Sequence, residues 1–159
     1  MGTEVIASHA LAWSLVVVFA LVLGGQTFDA FVLVPIWSGN PPDSVDEWLG
    51  TPAAHAVPRY FSRLLPALLI ASIGALAAGV FFATARRDWL LLAAGCGLTH
   101  IGLVVCFFVP TNRALGFLPA QSTAGSPEKA HLVRAWLRWN YVRIALDLVG
   151  LVAAVHAVA

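Results

Sequence analysis

The chain has 159 residues, of which 60% are hydrophobic and only 11% charged, with a mean hydropathy of +0.85. Soluble domains carry about 25% charged residues, so a water-soluble fold would leave most of its surface without charge, and that class is set aside. A net charge of +1 supplies no electrostatic footprint for nucleic acid, and the length suits one domain.

The first apolar run goes from about Ser8 to Trp37. Glu4 is the only charge before it, so a basic leader is missing, and the run is too long for a signal-peptide core. It predicts an uncleaved transmembrane helix. Gly24-Gly25 marks a kink or the close approach of a neighbour, Gln26 and Asp29 lie near the far end, and Trp37 is placed as an interface anchor. Residues 38–58 form a polar connection with four of the nine prolines. Within it Ser44 and Glu47 have the spacing of a capping box, and Gly50 stops the short helix that would start there. The connection reads as an ordered lid over one end of a bundle.

The second helix is expected from about Arg59 to Ala85. Its Ala67, Ala71, Ala75 and Gly79 repeat every fourth residue, a ridge that lets another helix backbone come close in lipid. Arg86-Arg87-Asp88 reads as a tight turn. The third helix then runs from Trp89 to about Val109, with His100 near its middle, and Pro110-Thr111-Asn112-Arg113 ends it. Cys96 and Cys106 both lie in this run. Ten residues of helix separate them by about 15 Å, beyond the reach of a disulfide. After a connection from Gly116 to Lys129, Ser126-Pro127 has the form of an N-cap followed by proline at the first helical position. The fourth helix extends from about Pro127 to Val158. At roughly 48 Å it exceeds a hydrocarbon core of about 30 Å, so its first turns must stand in the headgroups or pack under the first loop.

The expected fold is all-α: an antiparallel up-down four-helix transmembrane bundle, one integral membrane domain over residues 1–159 with a long first loop carrying a short helix. Arg59, Arg63, Arg113, Lys129, Arg134 and Arg138 flank the end where the two long loops lie. The positive-inside rule puts that end in the cytoplasm, as in a multi-pass protein of a bacterial inner membrane.

The stretch Trp136–Asp147 is the least apolar part of the last helix. Trp136, Asn140, Arg143 and Asp147 fall within roughly 60° of one another at about 100° per residue. Such a stripe cannot face lipid, and an ionisable residue inside a bilayer is a functional-site hypothesis by default. Counting about 1.5 Å per residue puts His100 and Asp147 near mid-depth and Arg143, Gln26 and Asp29 successively closer to the loop end. Asn112 and Arg113 lie at its edge. The pattern describes a pocket opening towards the loops. Arg143 and Asp147 are spaced to pair along one helix, either as a self-neutralising lock or with Arg143 donors left over for a substrate oxygen. His100 is either hydrogen-bonded structure or a general base beside Asp147. Trp136 is either part of an aromatic belt or a stacking surface for a flat substrate. His55 and His131 show no metal-ligand spacing.

The chain resembles the small four-helix membrane proteins of the anthrone oxygenase-like family. The resemblance rests on Gly25 with Pro35, on Pro110-Thr111-Asn112-Arg113, on the spacing Trp136-x-x-x-Asn140-x-x-Arg143, and on length and helix layout. It departs from the family at Asn140, where many members have histidine, and asparagine is no proton acceptor at neutral pH. The resemblance implies oxidation of a lipophilic anthrone or phenol to a quinone with O2. Arg143, Asn140, Asn112, Asp147 and His100 would then be catalytic, and Trp136, Arg113, Gln26 and Asp29 would contact substrate. No cofactor is expected, with metal or haem left open. The expected partners are the aromatic substrate, O2 and the bilayer, with a homo-oligomer also open. The alternative is a non-enzymatic membrane module, a ligand binder, transporter subunit or assembly partner, which predicts either an open path through the bundle or an apolar outer face for a partner protein, with the Ala67–Gly79 ridge facing outward.

Overall fold

The computed structural model describes residues 3–81, 86–118 and 126–159, all helix, turn or bend except Ala159. The helices are α1 (Thr3–Phe28), α2 (Val34–Ser38), α3 (Asp43–Leu49), α4 (Pro52–Phe81), α5 (Arg87–Leu103), α6 (Val109–Leu115) and α7 (Ser126–Val158), with π turns at Asp29–Leu33 and Val104–Phe108. The π turns join α1 to α2 and α5 to α6. Four long rods result, each long and apolar enough to cross a membrane. The predicted end of the second helix beyond Phe81 and most of the connection after Gly116 lie outside the described residues.

The rods close into a ring in which α1 and α5 each pack against both α4 and α7. Leu11 of α1 meets Gly74 of α4, and Tyr60 meets Gly25, so early α1 packs on late α4 and the reverse. At the other end of the ring the Arg86 guanidinium donates to the His156 carbonyl (2.9 Å), and Trp89 stacks on the His156 ring. The lower core holds Leu15, Phe19, Leu68, Ala71, Ala75, Ala93 and Ala154. Ala71, Ala75 and Gly79 are all buried, and a methyl at Gly79 would strike Leu91 of α5. The small-residue ridge therefore faces inward, where it brings α4 and its neighbours together, and not outward as an assembly surface requires. Gly150 does the same for α7: a Cβ there would lie 2.5 Å from the buried Phe19 ring. Gly150→Val is expected to destabilise the protein by about 1–3 kcal/mol through overpacking, read as a lower unfolding midpoint in detergent.

Prolines shape the loop-side half. Proline has no N–H to donate and its ring crowds the carbonyl four residues back. For Pro35 and Pro110 these carbonyls belong to Phe31 and Cys106, and each lies inside a π turn. The wider turn moves the bonding to i→i+5: the Val34 N–H donates to the Asp29 carbonyl, and the Val109 N–H to the Val104 carbonyl. Pro110-Thr111-Asn112-Arg113 consequently continues its helix. The stop comes at Gly116, whose φ of 88° suits a left-handed helix terminus that only glycine adopts without strain.

The first loop is shorter than expected, because α4 begins at Pro52 and carries Pro58 and Pro66 within it. Its N-cap is Thr51, whose Oγ1 accepts from the Ala54 N–H (3.4 Å) and donates to the Trp48 carbonyl (2.8 Å). Thr51-Pro52 thus carries the same signal as Ser126-Pro127. Ser44 does not form the expected capping box. It lies inside α3, which follows Pro42, and its Oγ donates to the Trp37 carbonyl and accepts from the Asn40 N–H. The seryl group is thus spent on tying α3 back to α2. Gly50 follows the last residue of α3, as expected. Val45 and Trp48 pack with Val133, Trp136 and Leu115, and Lys129 pairs with Asp46 (2.6 Å). The first turns of α7 therefore lie under α3. Trp37 is no interface anchor. It is 3% exposed and meets Trp136 edge-on at 5.0 Å.

Candidate functional site

A cavity of about 250 Å³ lies in the loop-side half. Its walls are mainly apolar and rich in aromatic rings: Trp37, Trp48, Phe61, Phe108, Phe117 and Trp136 all line it, with Pro58 and Leu65 of α4. Both π turns reach it, one through Asp29 and the other through Val104 and Phe108. Apart from the indoles, its polar lining consists of Asp29, Ser62, Asn112 and Arg143.

Arg143 dominates the electrostatics. It is 7% exposed, and its guanidinium carbon stands 4.2 Å from the Phe108 ring centroid, with Phe61 and Trp136 at 5.8 and 6.0 Å. Its Nη2 donates to Asn140 Oδ1 at 2.7 Å. Among the described residues it forms no ion pair within 4 Å, although Asp147 and Asp29 both act on its charge. The expected pairing of Arg143 with Asp147 is replaced by two other contacts. Helical side chains lean towards the N-terminus, which carries the guanidinium back to Asn140. Asp147 turns to α5 and meets His100 there.

Asn112 is fixed by α7. The Trp136 indole N–H donates to its Oδ1 at 2.9 Å. An indole is only a donor, so the oxygen end accepts it, and among the described residues the amide NH2 is the end without a hydrogen bond. Trp136 is thus at once a wall of the cavity and the group that orients Asn112.

Behind the cavity, His100 Nδ1 and Asp147 Oδ1 are 2.7 Å apart, and both side chains are 0% exposed. Among the described residues His100 Nε2 and Asp147 Oδ2 have no partner, nor do either amide atom of Gln26, Arg143 Nε or Ser72 Oγ. These atoms come from all four rods.

The residues singled out from the sequence therefore divide three ways. Asp29, Asn112, Trp136 and Arg143 line the cavity. Gln26, His100, Asn140 and Asp147 are buried without lining it. Arg113 is exposed on α6 and stands off the cavity, because continuation of the helix past Pro110 turns it to the surface. The sequence reading missed Trp48, Phe61, Phe108 and Phe117 as walls, and misassigned Trp37. Among the described residues no group of three His, Cys, Asp or Glu could hold a metal ion, and Cys96 and Cys106 are unbridged.

Four apolar rods packed around a partly open cavity rich in aromatic rings, with one buried guanidinium at its wall, define a multi-pass membrane protein with a small polar site among its helices. The family model for anthrone oxygenase matches residues 55–153, and the chain belongs to that family. Neither a curated protein nor a solved structure matches it. The matched span holds Asn112, Trp136, Asn140 and Arg143, while Gln26 and Asp29 precede it.

Proposed function

We propose that the protein is an oxygenase of a bacterial inner membrane that converts a lipophilic anthrone- or phenol-like aromatic to a quinone with O2. The observation that carries this reading is Arg143: a buried cation facing an aromatic cavity, hydrogen-bonded among the described residues only to a neutral amide. Such a cation is arranged to meet an anion formed in the cavity. An anthrone is neutral and flat, and enters from lipid. Loss of a methylene proton turns its ketone oxygen into an enolate oxygen, which Arg143 and the Asn112 NH2 are placed to hold. Fixed donors aimed at developing charge, away from water, are the largest single source of catalytic stabilisation in many enzymes.

The carbanion carbon then reacts with O2 to give a peroxide, which loses water and leaves the second carbonyl. The sum is anthrone plus O2 giving anthraquinone plus water, balanced without a resident cofactor. O2 is apolar and reaches the chamber through the bilayer. Asn140 takes no proton in this scheme. Its Oδ1 holds the guanidinium in position, a task a neutral amide performs without cancelling the charge.

The test uses the purified chain in lipid nanodiscs with anthrone and 18O2. The expected outcome is O2 uptake well above the protein-free rate, with one labelled oxygen in the quinone and the other in water. O2 uptake at the protein-free rate overturns the reading.

A further inference from the structure

We propose that Asp29 is the base of this site, the group that removes the proton whose loss creates the anion. The inference rests on the oxygenase reading and adds a catalytic residue to it, one that precedes the span shared with the family model.

The reaction needs a proton acceptor in contact with the ligand. Among the described residues that line the cavity, Ser62 is a neutral hydroxyl, Asn112 and the indoles are neutral, and Arg143 is a cation that does not give up its proton. Asp29 is the one lining group that is both anionic and an acceptor. His100 and Asp147 are fully buried, bonded to each other, and do not line the cavity. His55 and His131 are exposed and stand off it.

The setting of Asp29 fits the task. It is 6% exposed, so it sits away from bulk water. Among the described residues no hydrogen bond to its carboxylate is made, and its oxygens are not among the sealed, partnerless atoms. Asp29 itself lines the cavity, which puts its carboxylate within reach of a ligand there. Asp147, by contrast, spends one oxygen on His100. The π turn that starts at Asp29 holds both Asp29 and Ala30 buried on the inner face of the rod. π turns inside helices are frequent at functional sites.

Charge balance gives the strongest argument. Before reaction the chamber holds the Arg143 cation, the Asp29 anion and a neutral ligand. One C–H bond breaks, its proton bonds to an Asp29 carboxylate oxygen, and its electron pair moves into the enolate, whose oxygen lies with Arg143. The net charge of the chamber is unchanged, and no additional charge is created where the dielectric is low. A base outside the cavity would separate the charges instead.

The experiment measures proton removal without oxidation. The full chain in nanodiscs is incubated with anthrone in D2O without O2, and deuterium entering the methylene carbon is followed by mass spectrometry. Binding is followed separately by quenching of tryptophan emission. The wild-type chain is expected to speed exchange, and Asp29→Asn and Asp29→Ser to lower the protein-dependent rate by about 100-fold or more, with binding changed less than about threefold. Asp29→Glu is expected to keep a measurable part of the exchange. Exchange at the wild-type rate in either neutral variant overturns the assignment, as does loss of exchange only in step with loss of binding. A wild-type chain that oxidises anthrone while both variants remain fully active sinks the role of Asp29 alone. A wild-type chain that neither exchanges nor oxidises sinks the oxygenase reading and the inference with it.

Discussion

Replacing Arg143 with methionine is expected to lower kcat/KM for anthrone oxidation by about 100- to 1,000-fold, the usual cost of one preorganised donor at a developing oxyanion. Methionine keeps the unbranched apolar stem as far as the Nε position but not the guanidinium that faces the Phe61, Phe108 and Trp136 rings. What goes is the charge and the fork of donors. The loss should fall mainly on kcat, because the cation meets a neutral ligand in the ground state and an anion only once the proton has left. Arg143→Lys supplies the finer test. A lysine keeps the charge but has one compact ammonium in place of a planar fork. It cannot hold Asn140 and a ligand oxygen in the same geometry, so intermediate activity is expected. O2 uptake over a range of substrate concentrations separates kcat from KM. A methionine variant with unchanged kcat means the guanidinium is a structural cation and removes the main support for the anion-holding site.

Much of the architecture was open to inference because bilayer physics leaves few choices. Backbone polar groups in lipid must be satisfied within a helix, so four apolar runs meant four rods, and length alone left the first turns of α7 either in the headgroups or under the first loop; the structure takes the second. The errors cluster at prolines. Pro58 and Pro110 read as helix boundaries, the usual bias for residues around proline, whereas α4 contains the first, and a π turn lets the α5–α6 rod carry the second. Such a turn adds a residue and shifts the register of every side chain after it, which is why Phe108 and Arg113 could not be assigned to faces by counting. Thr51-Pro52 did mark the true start of α4, by the reasoning applied at Ser126-Pro127. The polar stripe of α7 was readable from helical spacing. Its partners were not, since spacing places Arg143 and Asp147 on one face without saying which way each side chain leans.

The His100–Asp147 pair separates structure from chemistry in the same bundle. His100→Leu leaves the Asp147 carboxylate buried with no partner, and Asp147→Leu strands the His100 ring. Breaking a buried pair from one side typically costs about 3–5 kcal/mol, while replacing both members by apolar residues is often neutral or stabilising. Each single variant is therefore expected to lower the unfolding midpoint in detergent sharply, and His100→Leu with Asp147→Leu to recover most of the loss. That non-additivity is the signature of a pair whose members need each other. Activity gives the second readout. The dyad does not line the cavity, and the proposed proton transfer runs through Asp29, so the folded double variant should keep turnover within about tenfold of wild type. Some loss is expected, because Asp147 is one of the two carboxylates acting on Arg143, and its removal shifts the charge balance of the chamber. A double variant that folds well but loses activity as completely as the Arg143 variant would move the base from Asp29 to the dyad. The unpartnered His100 Nε2, Asp147 Oδ2 and Gln26 atoms would then be links of a proton path rather than packed polar groups.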